Sequence, residues 1–195
     1  ASMTSLLTAA GIGGVIVGIG AQSLVKDVVS GFFMLFEDQF SVGDMVTAAG
    51  MTGTVTAIAL RTTTIRSYTG ELTVIPNGSI TTLTNYSRTN TLALVDMPVS
   101  YGEDAQKALS LMLEEAKAYH DEIGETAMAE PEIVGATKAE NGVLLLRVSM
   151  LVKPLEHWRV QRALTLRIGE RFAKEGIRLP YSHVTVVSGE AQRHD

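Results

Sequence analysis

The chain contains no cysteine in its 195 residues. Disulfides, thiolate metal sites and cysteine nucleophiles are excluded on that ground. Aromatic residues amount to 6%, with a single tryptophan. No block of like charges occurs, and a net charge of −5 argues against a nucleic-acid surface. The four histidines, His120, His157, His183 and His194, are scattered without ligand spacing and read as surface or cap residues. No acid/base pair, nucleophile set or phosphate loop is found, so hydrolase chemistry has no support and neither cofactor nor metal is expected. The most consequential absence is local: no charged residue occurs from Ala1 to Val25.

As a helix that run extends roughly 38 Å, enough for a bilayer core of about 30 Å. A signal peptide would carry an early positive charge and a cleavage motif, whereas the first charge here is Lys26. A lone spanning helix at the very start is unusual, and further helices are expected to precede it.

The centre of the run reads GIGGVIVGIGAQ, from Gly11 to Gln22. At roughly 100° per residue, Gly11, Gly14, Gly18 and Ala21 share one narrow face. Val15, Ile19 and Gln22 share the next, with Lys26 one turn below, and Ile12 and Ile16 form a third. Small residues let helix backbones approach closely in lipid. In a ring of identical helices, the ridge Ile12–Ile16 of one copy would enter the glycine groove of its neighbour. The stripe between these interfaces would face the axis. Val15 and Ile19 would then form stacked apolar rings, and a narrow apolar constriction blocks ions by shedding water. The segment therefore suggests a pore.

From Leu24 to Phe36 an amphipathic helix is expected, with Leu24, Val28, Phe32, Leu35 and Phe36 on one side and Lys26, Asp27, Ser30, Glu37 and Asp38 on the other. Such a helix suits a membrane surface. A bend between the spanning and surface parts is expected at Ser23 or Gly31. From Phe40 to Ile75 the period switches to that of strands: Met45–Ala48, Thr54–Ala59, Thr62–Tyr68 and Glu71–Ile75, broken at glycines and closed by the Pro76-Asn77-Gly78 turn. Four or five short antiparallel strands in so few residues suggest a small all-β, Sm-like barrel. Thr62, Thr63, Thr64 and Arg66 read as a solvated or interface face. From Leu92 onward the order becomes β-α-β-β-α-β, a ferredoxin-like split βαβ sandwich. Its strands are Leu92–Ser100, Glu132–Lys138, Gly142–Val152 and His183–Val187; its helices are Asp104–Ile123 and Glu156–Glu175. Arg159, Arg162, Arg171 and Lys174 read as a solvated helix face, or else as a basic vestibule wall. The fold class is thus membrane α plus α+β. The expected division is 1–38 (pore and surface helices), 39–88 (β-barrel), 89–188 (α/β domain) and 189–195 (tail).

The order of these parts, with GIGAQSLVKDVVSGFFML (Gly18–Leu35), FSVGDMV…GTV (Phe40–Val55) and TGELTVIPNGSI…NYSR (Thr69–Arg88), resembles the MscS-type small-conductance mechanosensitive channels. The resemblance implies a homo-heptamer in the cell inner membrane, with its C-terminal domains forming a cytoplasmic cage. It implies opening by membrane tension and release of ions and small solutes on hypo-osmotic shock, with the lipid bilayer as partner and no nucleic acid. The family's two pore-sealing leucine rings fall on Val15 and Ile19. Its kink glycine is Ser23 here, and Gly31 matches the lower glycine bend. Its small alanine knobs are Ile12 and Ile16, which implies a wider or looser seal. Asp27 stands where the family often has asparagine, and its part in coupling helix to cage is left open.

Two other readings remain at this stage. One is a non-conducting, membrane-anchored ring scaffold, since fold does not fix function. The other is a dinucleotide-binding enzyme, because Val15–Val17 followed by Gly18-Ile19-Gly20-Ala21-Gln22-Ser23 imitates a strand and glycine-rich turn, although its third glycine is missing.

Overall fold

The computed structural model describes residues 3–180, which fall into two units divided between Thr89 and Asn90. In the first unit, α1 (Met3–Phe36) is one continuous helix. Its glycines are poor helix formers in water. In an apolar setting, however, the backbone must satisfy its own hydrogen bonds, and a helix does so within one segment. No secondary-structure break occurs at Ser23 or Gly31. The helix ends in a Schellman motif: Gln39 N–H bonds Met34 O at 3.3 Å, and Asp38 N–H bonds Leu35 O at 3.4 Å. Asp38 takes the left-handed position usual for glycine, with φ 48°.

After α1 come β1 (Met45–Ala48), β2 (Met51–Ile58), β3 (Thr62–Arg66), β4 (Leu72–Pro76), a 3₁₀ turn (Asn77–Ser79) and β5 (Leu83–Asn85). They form an antiparallel sheet in the order β4-β3-β2-β1-β5. The expected small barrel is therefore open, since β4 and β5 do not pair among the described residues. The β1–β2 turn is Ala49-Gly50, both at positive φ (48° and 78°), the geometry that matches strand twist. Val46, Val55, Ile65, Ile75 and Ile80 make the core, which Met34 of α1 and Phe40 complete. Thr63 belongs to this interior and is fully buried, not part of a solvated face.

The second unit holds β6 (Thr91–Ser100), α2 (Ala105–Ile123), β7 (Glu132–Glu140), β8 (Val143–Val152) and α3 (His157–Lys174). The sheet order β6-β8-β7 is that of the split βαβ motif. The expected strand His183–Val187 and the tail 189–195 lie outside the described residues. Asp104 caps α2, its Oδ1 accepting from the backbone of Gln106 and Lys107, both at 3.0 Å. Asn141-Gly142, both at positive φ, turns β7 into β8. Val160, Leu164, Ile168 and Phe172, at helical spacing on α3, pack into the core with Leu109, Met112 and Ala116 of α2. Gly176, at φ 73°, stops α3, and Ile177 N–H returns to Phe172 O at 2.9 Å. On the basic face of α3, Arg159 pairs with Glu156, and Arg171 pairs with Glu114 of α2 and with Glu175, so two of its four cations are neutralised.

His157 opens α3. Its Nδ1 lies 2.9 Å from Thr91 Oγ1, and its ring centroid lies 3.9 Å from that of Trp158, the single tryptophan. Burial lowers its pKa below the ordinary 6.5. Because the folded form resists protonation, the unfolded chain takes up the proton first as pH falls. Stability is therefore unaffected well above 6.5 and declines as pH drops through and below it. Trp158 fluorescence should titrate with a midpoint under the usual histidine value, and His157→Gln should abolish that titration. A midpoint at or above the usual value would contradict the burial argument.

Candidate functional site

The glycine-rich middle of α1 presents its groove, ridge and stripe openly within the protomer. Among the glycines Gly11, Gly14 and Gly18, a methyl group added at any of them would meet nothing within 4 Å. Val15 and Ile19 are 61% and 69% exposed, and Ile12 and Ile16 are exposed as well. Gln22, Ser23 and Lys26 are exposed, whereas Ala21 is half-buried. From Ala10 to Phe36 the helix is long and apolar enough to cross a membrane.

The lower part docks on the β domain through a face the apolar pattern does not indicate. Asp27, Gly31 and Met34, one helical stripe, are buried. Of the expected apolar side, Leu24, Phe32, Leu35 and Phe36 stay exposed and Val28 is half-buried. The amphipathic helix is thus present, but its small and polar side packs on protein and its apolar side is left open. Asp27 Oδ1 accepts a hydrogen bond from Gly78 N–H at 2.9 Å, across 51 residues of sequence. Gly31 lies directly on the Leu60 carbonyl and the Asn77 side chain, so close that no Cβ could fit. Gly31 therefore serves close approach, whatever else it does for the axis of the helix. Asn77 organises the surface beneath: its Nδ2 donates to Ala59 O (3.0 Å) and Leu60 O (3.1 Å), and its Oδ1 accepts from Thr63 Oγ1 (2.8 Å).

A second fastening holds the end of the helix. The Arg88 guanidinium donates to Asp38 Oδ1 (3.0 Å), to the Asp38 carbonyl, to Asp44 Oδ2 (3.2 Å) and to Ser41 Oγ (3.1 Å). The Arg88 hydrogen bond holds the Asp38 carboxyl below its ordinary pKa. For Asp44, burial pushes the value up, but hydrogen bonds from Asn85, Ser41 N–H and Arg88 outweigh it. The clasp offsets the left-handed backbone of Asp38. Sequence reasoning singled out none of Asn77, Thr63 or Arg88 as a site residue. The only local signal was the Pro76-Asn77-Gly78 turn itself.

No group of three or more potential metal ligands exists among the described residues. The glycine-rich stretch Gly18–Ser23 lies inside an uninterrupted helix, and Val15–Val17 is not a strand. The dinucleotide-binding reading is corrected on that geometry, because its phosphate cradle needs a strand-to-helix turn.

A membrane-length helix seated on a small β domain and followed by a split βαβ unit defines a class of membrane protein, not of enzymes. Residues 23–88 match the family described as "Mechanosensitive ion channel, beta-domain", and residues 93–179 match "Mechanosensitive ion channel MscS, C-terminal". The "Small-conductance mechanosensitive channel" of Caldanaerobacter subterraneus subsp. tengcongensis is 41% identical over 191 residues, covering 96% of this chain and 66% of that protein. The "Moderate conductance mechanosensitive channel YbiO" of Escherichia coli is 35% identical over 182 residues, covering 92% of this chain and 24% of its own length. The chain thus spans less than two thirds of these curated relatives. In fold it matches the closed-state crystal structure of Helicobacter pylori MscS, with a TM-score of 0.80 and 20% identity over 97% of this chain and 75% of the other. Wild-type MSL1 of Arabidopsis thaliana gives a TM-score of 0.72 at 22% identity, over 93% and 65%. The chain belongs to the MscS family of mechanosensitive channels. Membership makes it an inner-membrane protein of a family of oligomeric channels.

Proposed function

We propose that the full-length protein is a tension-gated channel for ions and small solutes, an osmotic release valve built from seven copies of this chain. The helix crosses the bilayer, and the β and α/β units stand on the cytoplasmic side. One observation carries the reading: above Ala21, α1 is an apolar helix with a small-residue groove, an Ile12–Ile16 ridge and an exposed Val15–Ile19 stripe, all unpartnered in the protomer. Ridge-in-groove packing of copies would bury both flanks and turn the stripe to the axis. Two apolar rings then close the throat by excluding water. Tension favours the state of larger membrane area and shifts the equilibrium by that difference alone.

The test is Val15→Lys and Ile19→Lys in the full-length protein. Each should hydrate the constriction, giving a standing leak current in patches and arrested growth on expression. Tight variants would remove these residues from the throat. Assembled rings that carry no current under suction would favour the non-conducting scaffold.

A further inference from the structure

We propose that Lys26 sets the ion preference of the pore, drawing anions to its inner mouth; this rests on the ring reading above. Only two charged side chains occur in α1, Lys26 and Asp27. Adjacent in sequence, they would cancel. The fold separates them. Asp27 is buried, and its Oδ1 is held by Gly78 N–H at 2.9 Å. Lys26 is exposed, and its stem lies over Gly78: a Cβ there would meet Lys26 Cγ at 3.0 Å and Cδ at 3.2 Å. Lys26 enters none of the ion pairs found among the described residues.

Direction follows from helix geometry. At roughly 100° per residue, Lys26 falls between Val15 and Ile19, on the axis stripe, and Asp27 falls about 100° away, on the docked face. Lys26 sits roughly 10 Å below Ile19 along the helix. Of the carboxylates that follow α1, Asp38 and Asp44 are engaged by Arg88, and Glu37 accepts a hydrogen bond from Gln39 Nε2. One ammonium per subunit therefore collects around the mouth while its neighbouring carboxylate is turned into protein. A ring of one sign in a low-dielectric opening concentrates the opposite ion. Salt screens it: the Debye length is about 8 Å at physiological ionic strength and about 3 Å at 1 M.

The experiment is the reversal potential of the full-length channel, opened by suction in a patch under a KCl gradient. Wild type should reverse on the chloride side, with a Cl⁻-to-K⁺ permeability ratio of roughly two or more. Lys26→Gln should bring the ratio to about one and Lys26→Glu should push it to the potassium side, while Lys26→Arg keeps the wild-type value. Raising both solutions toward molar salt should shrink the wild-type displacement. A conducting Lys26→Gln channel with the wild-type reversal potential overturns the proposal and leaves the pore reading standing. A wild-type protein that passes no current overturns both.

Discussion

Gly31→Ala should lift the lower half of α1 off the β domain. In an exposed helix the same change is favourable, since glycine costs about 1 kcal/mol relative to alanine. Here the added carbon would clash with both the Leu60 carbonyl oxygen and the Asn77 amide nitrogen, and would stand 2.9 Å from the Leu60 carbonyl carbon. Neither obstacle can swing aside. Leu60 presents backbone, and Asn77 is held by three hydrogen bonds. The helix must therefore move, loosening the Asp27–Gly78 bond and the seat of Met34 in the β core. Overpacking of this kind costs roughly 1–3 kcal/mol, which exceeds the propensity gain, and Gly31→Val should cost more. Thermal melting of the purified protein would show the loss. Gly20→Ala, where the added methyl meets nothing within 4 Å in the protomer, is the contrasting variant and should leave the melt unchanged or raise it. A Gly31→Ala protein that melts like wild type would mean that the helix does not bear on Leu60 and Asn77.

The contrast between Gly31 and Gly176 shows what can be read from sequence here. Gly176 ends a helix whose apolar residues recur at Val160, Leu164, Ile168 and Phe172, so its role is written within a few residues of itself. The Asn141-Gly142 turn and the Asp104 cap are local in the same sense. The order of strands and helices follows from such short-range signals, and the matched fold agrees with it. The role of Gly31 is set by Leu60 and Asn77, 29 and 46 residues on, and no period announces it. The docked face of α1 was illegible for a related reason. Pattern reading assigns the apolar side of an amphipathic helix to its largest contact. Here the contact within the protein is made by Asp27, Gly31 and Met34, and the aromatic side is left outward. The Arg88 clasp was equally hidden, because it joins residues 50 positions apart through an aspartate in a backbone conformation that favours glycine.

Asn77→Ala should unfold the β domain more readily than any nearby surface change. Asn77 and Thr63 are both fully buried. Truncation strips the partners from the Thr63 hydroxyl and from the carbonyls of Ala59 and Leu60. A buried polar group left bare costs about 1–3 kcal/mol; the Thr63 hydroxyl is such a group, whereas Ala59 and Leu60 are exposed residues whose carbonyls lose less, so a loss of roughly 2–3 kcal/mol is expected in urea denaturation. Thr63→Val removes one hydroxyl and leaves one lone pair of Asn77 unmet, for about 1 kcal/mol. Combining the two should cost less than their sum, because a valine at position 63 no longer lacks a partner. Asn77→Asp separates shape from bonding. It is nearly isosteric and keeps an acceptor toward Thr63, but it loses both donors and turns a carboxylate toward two carbonyl oxygens. It should therefore be at least as damaging as alanine near neutral pH. It should recover partly in acid, where the protonated carboxyl can again donate to one of the carbonyls. An Asn77→Asp protein as stable as wild type at neutral pH would show that the amide donors do not hold the Ala59–Leu60 loop. The platform on which Gly31 rests would then need another source of rigidity.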